Sequence, residues 1–436
     1  MATWFEHRVV AACSLCEMAH MYAICSLFAY AAFYVVDSGW ASDRDAAGFV
    51  AGLLGSAVTL GRIPVAALWG AAADGLGRRR CVVASMAALV VGQVAFGLVE
   101  SLPAVLASRA LLGASCGWPV VFPIYASEAL GPEKQSLLIG RAIAFGGLSI
   151  LAGPAVGGAT YGLVAARPAL APSLVGAAIA VAACAAAALW LPEERRAPAY
   201  ERVAADAERE LPEKGAKAIE APPPEHEPWW VGFRAIAGGP LLSVTASRMI
   251  FGFNEFAANE ATSLWAVSTR RSGGLELSHG ALGALLAAAA LPPLAFSATA
   301  FPAAERRAGA RRATSAAAAA AALSVAAMPF SRSPWAAGVA MALHGAGYIC
   351  GQIGILTITN NAVESSRRGR VGGAMSTAEA VAKGLGPWSA SVLFAESIRS
   401  GGAAFHAAVF LGLAALYATA AVLARTLPAR VDAAAS

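Results

Sequence analysis

The chain has 436 residues, of which 58% are hydrophobic and 14% are charged, and its mean hydropathy is +0.60. Soluble domains carry about 25% charged residues, so this composition excludes an ordinary water-soluble protein and indicates a chain that lies in a lipid bilayer. The net charge of +5 is small and the basic residues are spread over loops, so no nucleic-acid partner is predicted.

The start of the chain and its cysteines add little. The seven cysteines lie in or beside apolar runs and form no disulfide framework. Cys13 and Cys16 make a CxxC pair without a second pair nearby, so we expect small buried side chains there, with metal binding as the alternative. The first ten residues run directly into an apolar stretch, so we expect no cleavable signal peptide.

Apolar stretches long enough to cross a membrane recur along the chain. A span needs about 20 apolar residues, so this length holds roughly twelve spans with short loops. A segment dense in charge, with three consecutive prolines, divides them into two sets and is predicted to be a solvated linker. The predicted spans are 11–36, 47–69, 81–99, 102–126, 138–163 and 172–191, then 241–268, 280–302, 313–330, 334–358, 371–396 and 403–425.

The predicted architecture is all-α and polytopic, with a six-helix bundle at 1–191, a cytoplasmic linker at 192–240 and a second six-helix bundle at 241–436. Basic residues concentrate in alternate loops, and such loops face the cytoplasm. This asymmetry places both termini in the cytoplasm. We expect a monomer in the plasma membrane or in a vacuolar or other organelle membrane.

Two loops echo each other in the two halves. The loop GAAADGLGRRR follows span 2 and the loop AERRAGARR follows span 8, each combining a glycine turn with a basic cluster. Glycine permits a tight turn and close helix approach, and the carboxylate of the first loop can pair with an arginine of the other half. The residues expected to form this gating loop are Gly70, Asp74, Gly77, Arg78, Arg79 and Arg80.

These loop residues resemble a signature of the major facilitator superfamily, except that Gly75 stands where a basic residue is usual. In span 5, Gly153, Pro154, Gly157 and Gly158 resemble the motif of its drug:proton antiporter branch, where a proline bends a helix between close-packed glycines. The resemblance implies twelve transmembrane helices in two six-helix halves, a substrate site between the halves and no cofactor.

Four longer blocks narrow the resemblance. They are similar to the zinc-induced-facilitator-like proteins of plants and their fungal relatives, although the counterparts of the cysteine and histidine motifs of those proteins are loose here. The blocks are GRIPVAALWGAAADGLGRR (61–79), YASEALGPEKQS (125–136), SLWAVSTRRSGGLELS (263–278) and TNNAVESSRRG (359–369).

Ionisable groups inside predicted spans are the candidates for coupling and substrate contact, because such groups are costly in lipid. Spans 1, 4, 7 and 10 line the cavity in the family that the chain resembles. Of the two glutamates of span 7, we expect Glu260 rather than Glu255 to face the cavity. Two roles remain open for Lys383: it pairs with a carboxylate across the bundle, or it lines a pore for anions. The candidates for proton or substrate binding are Glu17, Arg62, Arg109, Glu128, Asn259, Glu260, His344 and Lys383.

The sequence thus predicts a secondary transporter, and specifically a proton-coupled antiporter that exports a small organic ion or a metal chelator. Its partners would be that substrate, protons and the bilayer. The alternatives are a facilitator or proton symporter for uptake, and a receptor on the same fold that has lost transport. No Walker loop, HExxH or GxSxG occurs, so an enzyme is not expected.

Overall fold

The computed structural model describes residues 2–129, 132–192, 230–363, 368–400 and 407–432, and within these ranges the chain is helical almost throughout. The helices of the first half are α1 (Ala2–Cys25), α2 (Ala31–Asp37), α3 (Gly48–Arg62), α4 (Ala66–Leu76), α5 (Arg78–Leu98), α6 (Leu102–Ala114), α7 (Trp118–Ala129), α8 (Pro132–Thr160) and α9 (Leu170–Trp190).

The second half repeats this plan. Its helices are α10 (Trp230–Ile236), α11 (Gly239–Val267), α12 (His279–Ala298), α13 (Ala300–Ala308), α14 (Ala310–Ala327), α15 (Pro334–Ala362), α16 (Arg368–Arg399) and α17 (Ala408–Thr426). Most of the predicted linker lies outside the described residues, and its last part forms α10 and the start of α11.

The all-α membrane fold predicted from composition is confirmed. Helices occupy every predicted span, and spans 1, 2, 4 and 8 each consist of two consecutive helices. Among the described residues, nine helical segments are long and apolar enough to cross a membrane. Spans 5, 7 and 11 fall outside that group although α8, α11 and α16 have 29, 29 and 32 residues. Charged residues within these three helices lower their hydropathy.

The two halves meet along two seams. Helix α3 packs on α16 at one seam, and α8 packs on α12 at the other. Helices α3 and α12 belong to the second spans of their halves, and α8 and α16 are the fifth spans. Each seam therefore pairs the second span of one half with the fifth span of the other, so the two seams are equivalent. Within the halves, α5 packs on α9 and α1 on α8 and α9, while α11 packs on α16 and α17.

The similarity of the two loops extends to their backbone conformation. Gly77 has φ 95° and ψ 146°, and Gly309 has φ 83° and ψ 158°, a region that side chains with a Cβ rarely adopt. Two residues after each glycine an arginine donates to a backbone carbonyl at the end of its half. Arg79 donates to Ala188, and Arg311 donates to Leu427 at 2.5 Å.

Candidate functional site

The first span is interrupted where it reaches the seam between the halves. Helix α1 ends at Cys25, a 3₁₀ turn covers Ser26–Ala29, and α2 begins at Ala31. Beside this break lies an enclosed space of about 10 Å³, lined by Phe28, Phe33, Glu260, Leu264 and Leu282. A space of this size holds about one water molecule.

Glu260 is the carboxylate at this seam. Its residue is 2% exposed, and it extends from α11 towards α3, where a Cβ on Gly55 would lie 3.3 Å from its Oε2 atom. The Ser391 side chain of α16 lies next to it. Within the described part of the chain, Glu260 has no cation in ion-pair contact, although Arg109 lies near enough to interact with it electrostatically. A buried carboxylate without a paired cation is well suited to holding a proton.

Arg109 is buried in the first half, with 2% of its surface exposed. Its Nε donates to the Leu54 carbonyl at 3.2 Å and its Nη1 donates to the Ala23 carbonyl at 3.0 Å. The guanidinium also lies 5.2 Å from the centre of the Phe96 ring. The contacts at Leu54 and Gly55 put Arg109 and Glu260 beside consecutive residues of α3, one from each half.

Glu17 and His20 contact residues at the break in span 4, which separates α6 from α7. The Trp118 indole donates to Glu17 Oε2 at 2.5 Å, and His20 Nδ1 lies 2.8 Å from the Cys116 sulfur. The Ser85 hydroxyl donates to the Ser115 carbonyl at 2.8 Å and accepts from the Gly117 amide at 3.0 Å. The Ser115 carbonyl and the Gly117 amide at the break are therefore satisfied within the protein, as a membrane interior requires.

A cluster of four ionisable side chains lies in the second half, between α11 and α16. Arg248 donates to Glu379 Oε2 from two nitrogens, at 2.6 and 3.1 Å. The Lys383 ammonium lies 3.0 Å from the Glu255 carboxylate and 3.1 Å from that of Glu379. Gly252 makes room for the cluster, since a Cβ there would lie 2.8 Å from Glu379 Cγ.

Helix α15 closes the cluster from the third side. Gln352 donates to Glu379 Oε1 at 3.4 Å and to the Tyr348 hydroxyl at 3.2 Å, and Tyr348 also lies beside Glu255. Lys383 therefore lies within ion-pair distance of two carboxylates of its own half. The side chains of Lys383 and Glu255 remain 22% and 25% exposed, so this end of the cluster is the accessible one.

The remaining candidates are dispersed. His344 is buried on α15, and its Nε2 lies 3.2 Å from the Tyr417 hydroxyl of α17. Asn259 is exposed and donates to the Glu255 carbonyl of its own helix at 2.7 Å. Arg62 ends α3, close to His20 and Cys116. Glu128 belongs to α7, but its side chain lies outside the described residues.

The gating-loop residues surround the turn at Gly77. Gly70 and Asp74 belong to α4, and the Asp74 side chain lies outside the described residues. Arg78, Arg79 and Arg80 form the first turn of α5.

The antiporter-like motif lies in α8 against the break in span 1. A Cβ on Gly157 would collide with the Ser26 carbonyl, and a Cβ on Gly158 would lie 2.5 Å from the His279 carbonyl. His279 Nδ1 lies 2.6 Å from the Gly158 carbonyl. Gly153 lies near Cys25, and Pro154 lies inside the helix. The motif thus packs one half directly on the other.

The sequence interpretation preferred Glu260 to Glu255 as the residue facing the cavity, and this stays a prediction. Glu260 lines the small space at the seam, whereas the Glu255 side chain is 25% exposed beside Lys383. The sequence interpretation also passed over a contact between the halves, in which Asp45 accepts from the Thr269 amide at 3.1 Å and from the Ser272 hydroxyl at 2.6 Å. These partners are more than 200 residues apart, so no local sequence pattern predicts the contact. For the charged cluster between α11 and α16, the four-residue spacing of Glu379 and Lys383 was the signal available in the sequence.

Comparison with known proteins agrees with this architecture. A probable peptide/nitrate transporter of Arabidopsis thaliana is 27% identical over 392 residues, covering 85% of this chain and 80% of that protein. The protein Zinc Induced Facilitator-Like 1 of the same plant is 27% identical over 413 residues, covering 88% and 83%. The crystal structure of a D-xylose–proton symporter superposes with a TM-score of 0.71 at 13% identity, covering 99% of this chain and all of that one.

The family model for the Major Facilitator Superfamily matches residues 18–387, which include α3, α8, α12 and all four members of the charged cluster. The protein is therefore a multi-pass integral membrane transporter that belongs to the Major Facilitator Superfamily.

Proposed function

We propose that this chain is a proton-coupled antiporter that exports a small organic ion or a metal chelator by alternating access. The observation that carries this proposal is the position of Glu260. Its carboxylate is buried at the seam between the halves and has no ion-paired cation among the described residues. A group in this position can take a proton from one face and release it to the other when the seam changes.

The packing of the seams supports a rocking movement. Several contacts between the halves are made at glycines, among them Gly52, Gly158 and Gly283, so at these points one helix meets a backbone surface of the other. Asp45 and His279 join the halves at the face carrying the loops 38–47 and 268–278, which we predict to be non-cytoplasmic. In this proposal the structure represents a state closed at that face, with both termini in the cytoplasm.

The substrate would contact the charged groups that face the space between the halves. The accessible charged groups are Lys383 and Arg62, and also Glu255, which the sequence analysis did not propose. Arg109 acts on Glu260 through its charge. Glu17, Glu128, Asn259 and His344 remain proposed contributors. The relatives named for peptide or nitrate transport and for zinc-induced facilitation support a small ionic substrate.

Two alternatives follow from the same fold. A facilitator or symporter would move the solute inwards, and a receptor would bind without transport. The antiporter is preferred because the glycine–proline motif of α8 lies at a seam.

The test is substrate-driven proton movement in proteoliposomes that contain a pH-sensitive dye, with organic acids, metal chelators and monovalent cations as probes. We expect one class to dissipate a pH gradient in the wild type and not in Glu260→Gln. Glu100→Gln is the matched control, because Glu100 forms an exposed pair with Arg167. Substrate flux without proton movement would replace the antiporter with a facilitator, and binding without flux would replace it with a receptor.

A further inference from the structure

The Ser391 hydroxyl lacks the hydrogen bond that neighbouring serines of its helix make. Ser389 and Ser397 of α16 each donate to a carbonyl of the same helix at 2.7 Å. Ser391 lies between them and is fully buried, but its hydroxyl makes no hydrogen bond of ordinary geometry to any described residue. Because an unpaired buried hydroxyl destabilises a protein, its presence here points to a role.

The Glu260 carboxylate lies beside this hydroxyl, and both face α3. A Cβ on Gly52 would lie 2.5 Å from Ser391 Oγ, and a Cβ on Gly55 would lie 3.3 Å from Glu260 Oε2. Residues three apart share one face of a helix, so the hydroxyl and the carboxylate lie against one strip of α3. A hydroxyl both donates and accepts, so Ser391 can donate to the ionised carboxylate and accept from the protonated one.

Ser56 of α3 contacts the backbone of α16 just before Ser391. Its hydroxyl oxygen accepts from the Trp388 amide at 3.0 Å, across the seam between the halves. An amide inside a helix ordinarily donates within that helix, and Pro387 disturbs this pattern because proline has no N–H and bends the helix. Ser56 is 1% exposed, so water does not compete for the contact. The contact therefore fixes α16 against α3 about one turn before Ser391.

The second seam lacks both hydroxyls. There the corresponding proline of α8 and glycine of α12 again pack on each other. Four residues after that proline and that glycine the chain has Gly158 and Ala287, in place of Ser391 and Ser56. Packing of a proline on a glycine therefore does not require the hydroxyls, and they occur at the seam that adjoins Glu260.

Among the described residues, Arg109 is the charged side chain that acts on Glu260. It stays cationic over the pH range in which proteins are handled, so it adds no pH dependence of its own. The other groups around the carboxylate are uncharged, and they are Phe28 and Phe33 of span 1, Gly55 of α3, Ser263 of α11, Leu282 of α12 and Ser391 of α16. Of the two hydroxyls in this set, that of Ser391 interacts with the carboxylate.

We propose that Ser391 is the positioning residue of the coupling carboxylate. It hydrogen-bonds Glu260 in both protonation states while the seam is closed, and Ser56 holds it in place through Trp388. This inference rests on the proposed function, since it takes Glu260 as the group that carries the proton. The hydrogen bond to the ionised form is the stronger one, because its acceptor is charged. Ser391 therefore stabilises the closed seam most when Glu260 is ionised.

The test uses the full-length protein carrying Leu282→Cys, whose reaction with a membrane-impermeant maleimide reports opening of the seam. Leu282 is 1% exposed and lines the same small space as Glu260. Ratios of rates measured at one pH cancel the ionisation of the thiol. We expect Ser391→Ala to accelerate labelling about tenfold at alkaline pH, where Glu260 is ionised, and about threefold at acid pH, as the loss of a charged and of a neutral hydrogen bond requires.

Three further variants separate positioning from packing. Ser56→Ala should produce the same pH-dependent acceleration, and Ser56→Thr, which keeps the hydroxyl, should not. Ser247→Ala is the matched control and should leave the rates unchanged, because Ser247 is a fully buried serine of α11 whose hydroxyl likewise has no partner among the described residues. In Glu260→Gln the side chain cannot ionise, so Ser391→Ala should then act equally at both pH values.

An acceleration by Ser391→Ala that is the same at both pH values in the parent protein would overturn the proposal, as would an equal effect of Ser247→Ala. A pH-independent effect of Ser56→Ala would overturn the part assigned to Ser56. Labelling requires no substrate, so a failure of proton-driven exchange would refute the proposed antiport without changing this result.

Discussion

The Lys383 ammonium lies 3.0 Å from the Glu255 carboxylate and so joins span 11 to span 7 inside the second half. The same ammonium also contacts Glu379, which Arg248 holds independently. Removing Lys383 therefore leaves Glu255 as the member of the cluster without an ion pair.

We expect Lys383→Met to lower the free energy of unfolding, because it leaves the Glu255 carboxylate buried without its ion-pair partner. Breaking a fully buried pair costs about 3–5 kcal/mol, and the partial exposure here reduces the expected loss to about 2 kcal/mol. Lys383→Met combined with Glu255→Gln should recover most of the loss. Thermal unfolding of the four proteins of this cycle in detergent measures the coupling, and additive effects would show that the two side chains do not interact.

The two seams should respond alike to an added side chain. A Cβ on Gly52 would lie 2.9 Å from the Pro387 carbonyl, and a Cβ on Gly283 would lie 2.5 Å from the Pro154 carbonyl. We expect Gly52→Val and Gly283→Val each to destabilise the closed state by about 1–3 kcal/mol through overpacking.

Gly280→Val is the control for the seams, because it lies on the same helix as Gly283 and a Cβ there meets nothing within 4 Å. The rate at which Leu282→Cys reacts with a membrane-impermeant maleimide reports opening, since Leu282 is 1% exposed. A faster reaction in Gly280→Val than in Gly283→Val would contradict the assignment of the seam.

The contact between Asp45 and the turn 269–272 should hold the non-cytoplasmic face closed. Asp45→Asn keeps the size of the side chain but weakens hydrogen bonds that the charge strengthens, at a cost of about 1 kcal/mol for a partly exposed site. We therefore expect the Leu282→Cys reaction to accelerate about fivefold. Asp43→Asn is the control in the same loop, since Asp43 accepts from Ala46 and Ser42 of its own half. Equal rates in the two variants would show that the contact of Asp45 with the turn 269–272 does not hold this face closed.

The C-terminal segment should stabilise the second half. Asp432 accepts from the Arg311 amide at 2.9 Å and from its Nε at 2.8 Å, next to the turn at Gly309. Their side chains are 26% and 19% exposed, so we expect Asp432→Ala to lower the free energy of unfolding by about 1 kcal/mol. Arg311→Ala should produce a similar loss and the double variant little more, as measured by thermal unfolding; fully additive losses would rule out the pair.

Composition and basic-residue patterns predicted the helical membrane architecture because hydropathy is a local property of about 20 residues. The loop echo at 70–80 and 304–312 also predicted a repeat that Gly77 and Gly309 display. The side-chain contacts of the candidate site could not be predicted in this way. That Arg109 is buried follows from its apolar neighbours, but its carbonyl partners at Ala23 and Leu54 depend on where the bent first span crosses α3. Likewise, helical spacing separates Glu255 from Glu260 without saying which one meets Lys383.

The charged cluster of the second half contains two cations and two carboxylates, and with all four ionised it has no net charge. Moving one unpaired charge through the whole membrane potential requires work of about 2.3 kcal/mol per 100 mV. A neutral quartet that moves with its helices requires almost none. The voltage dependence of this protein would then come from the other charged groups inside the spans, such as Glu260 and Arg109, and from the substrate, while the quartet crosses the field without electrical work.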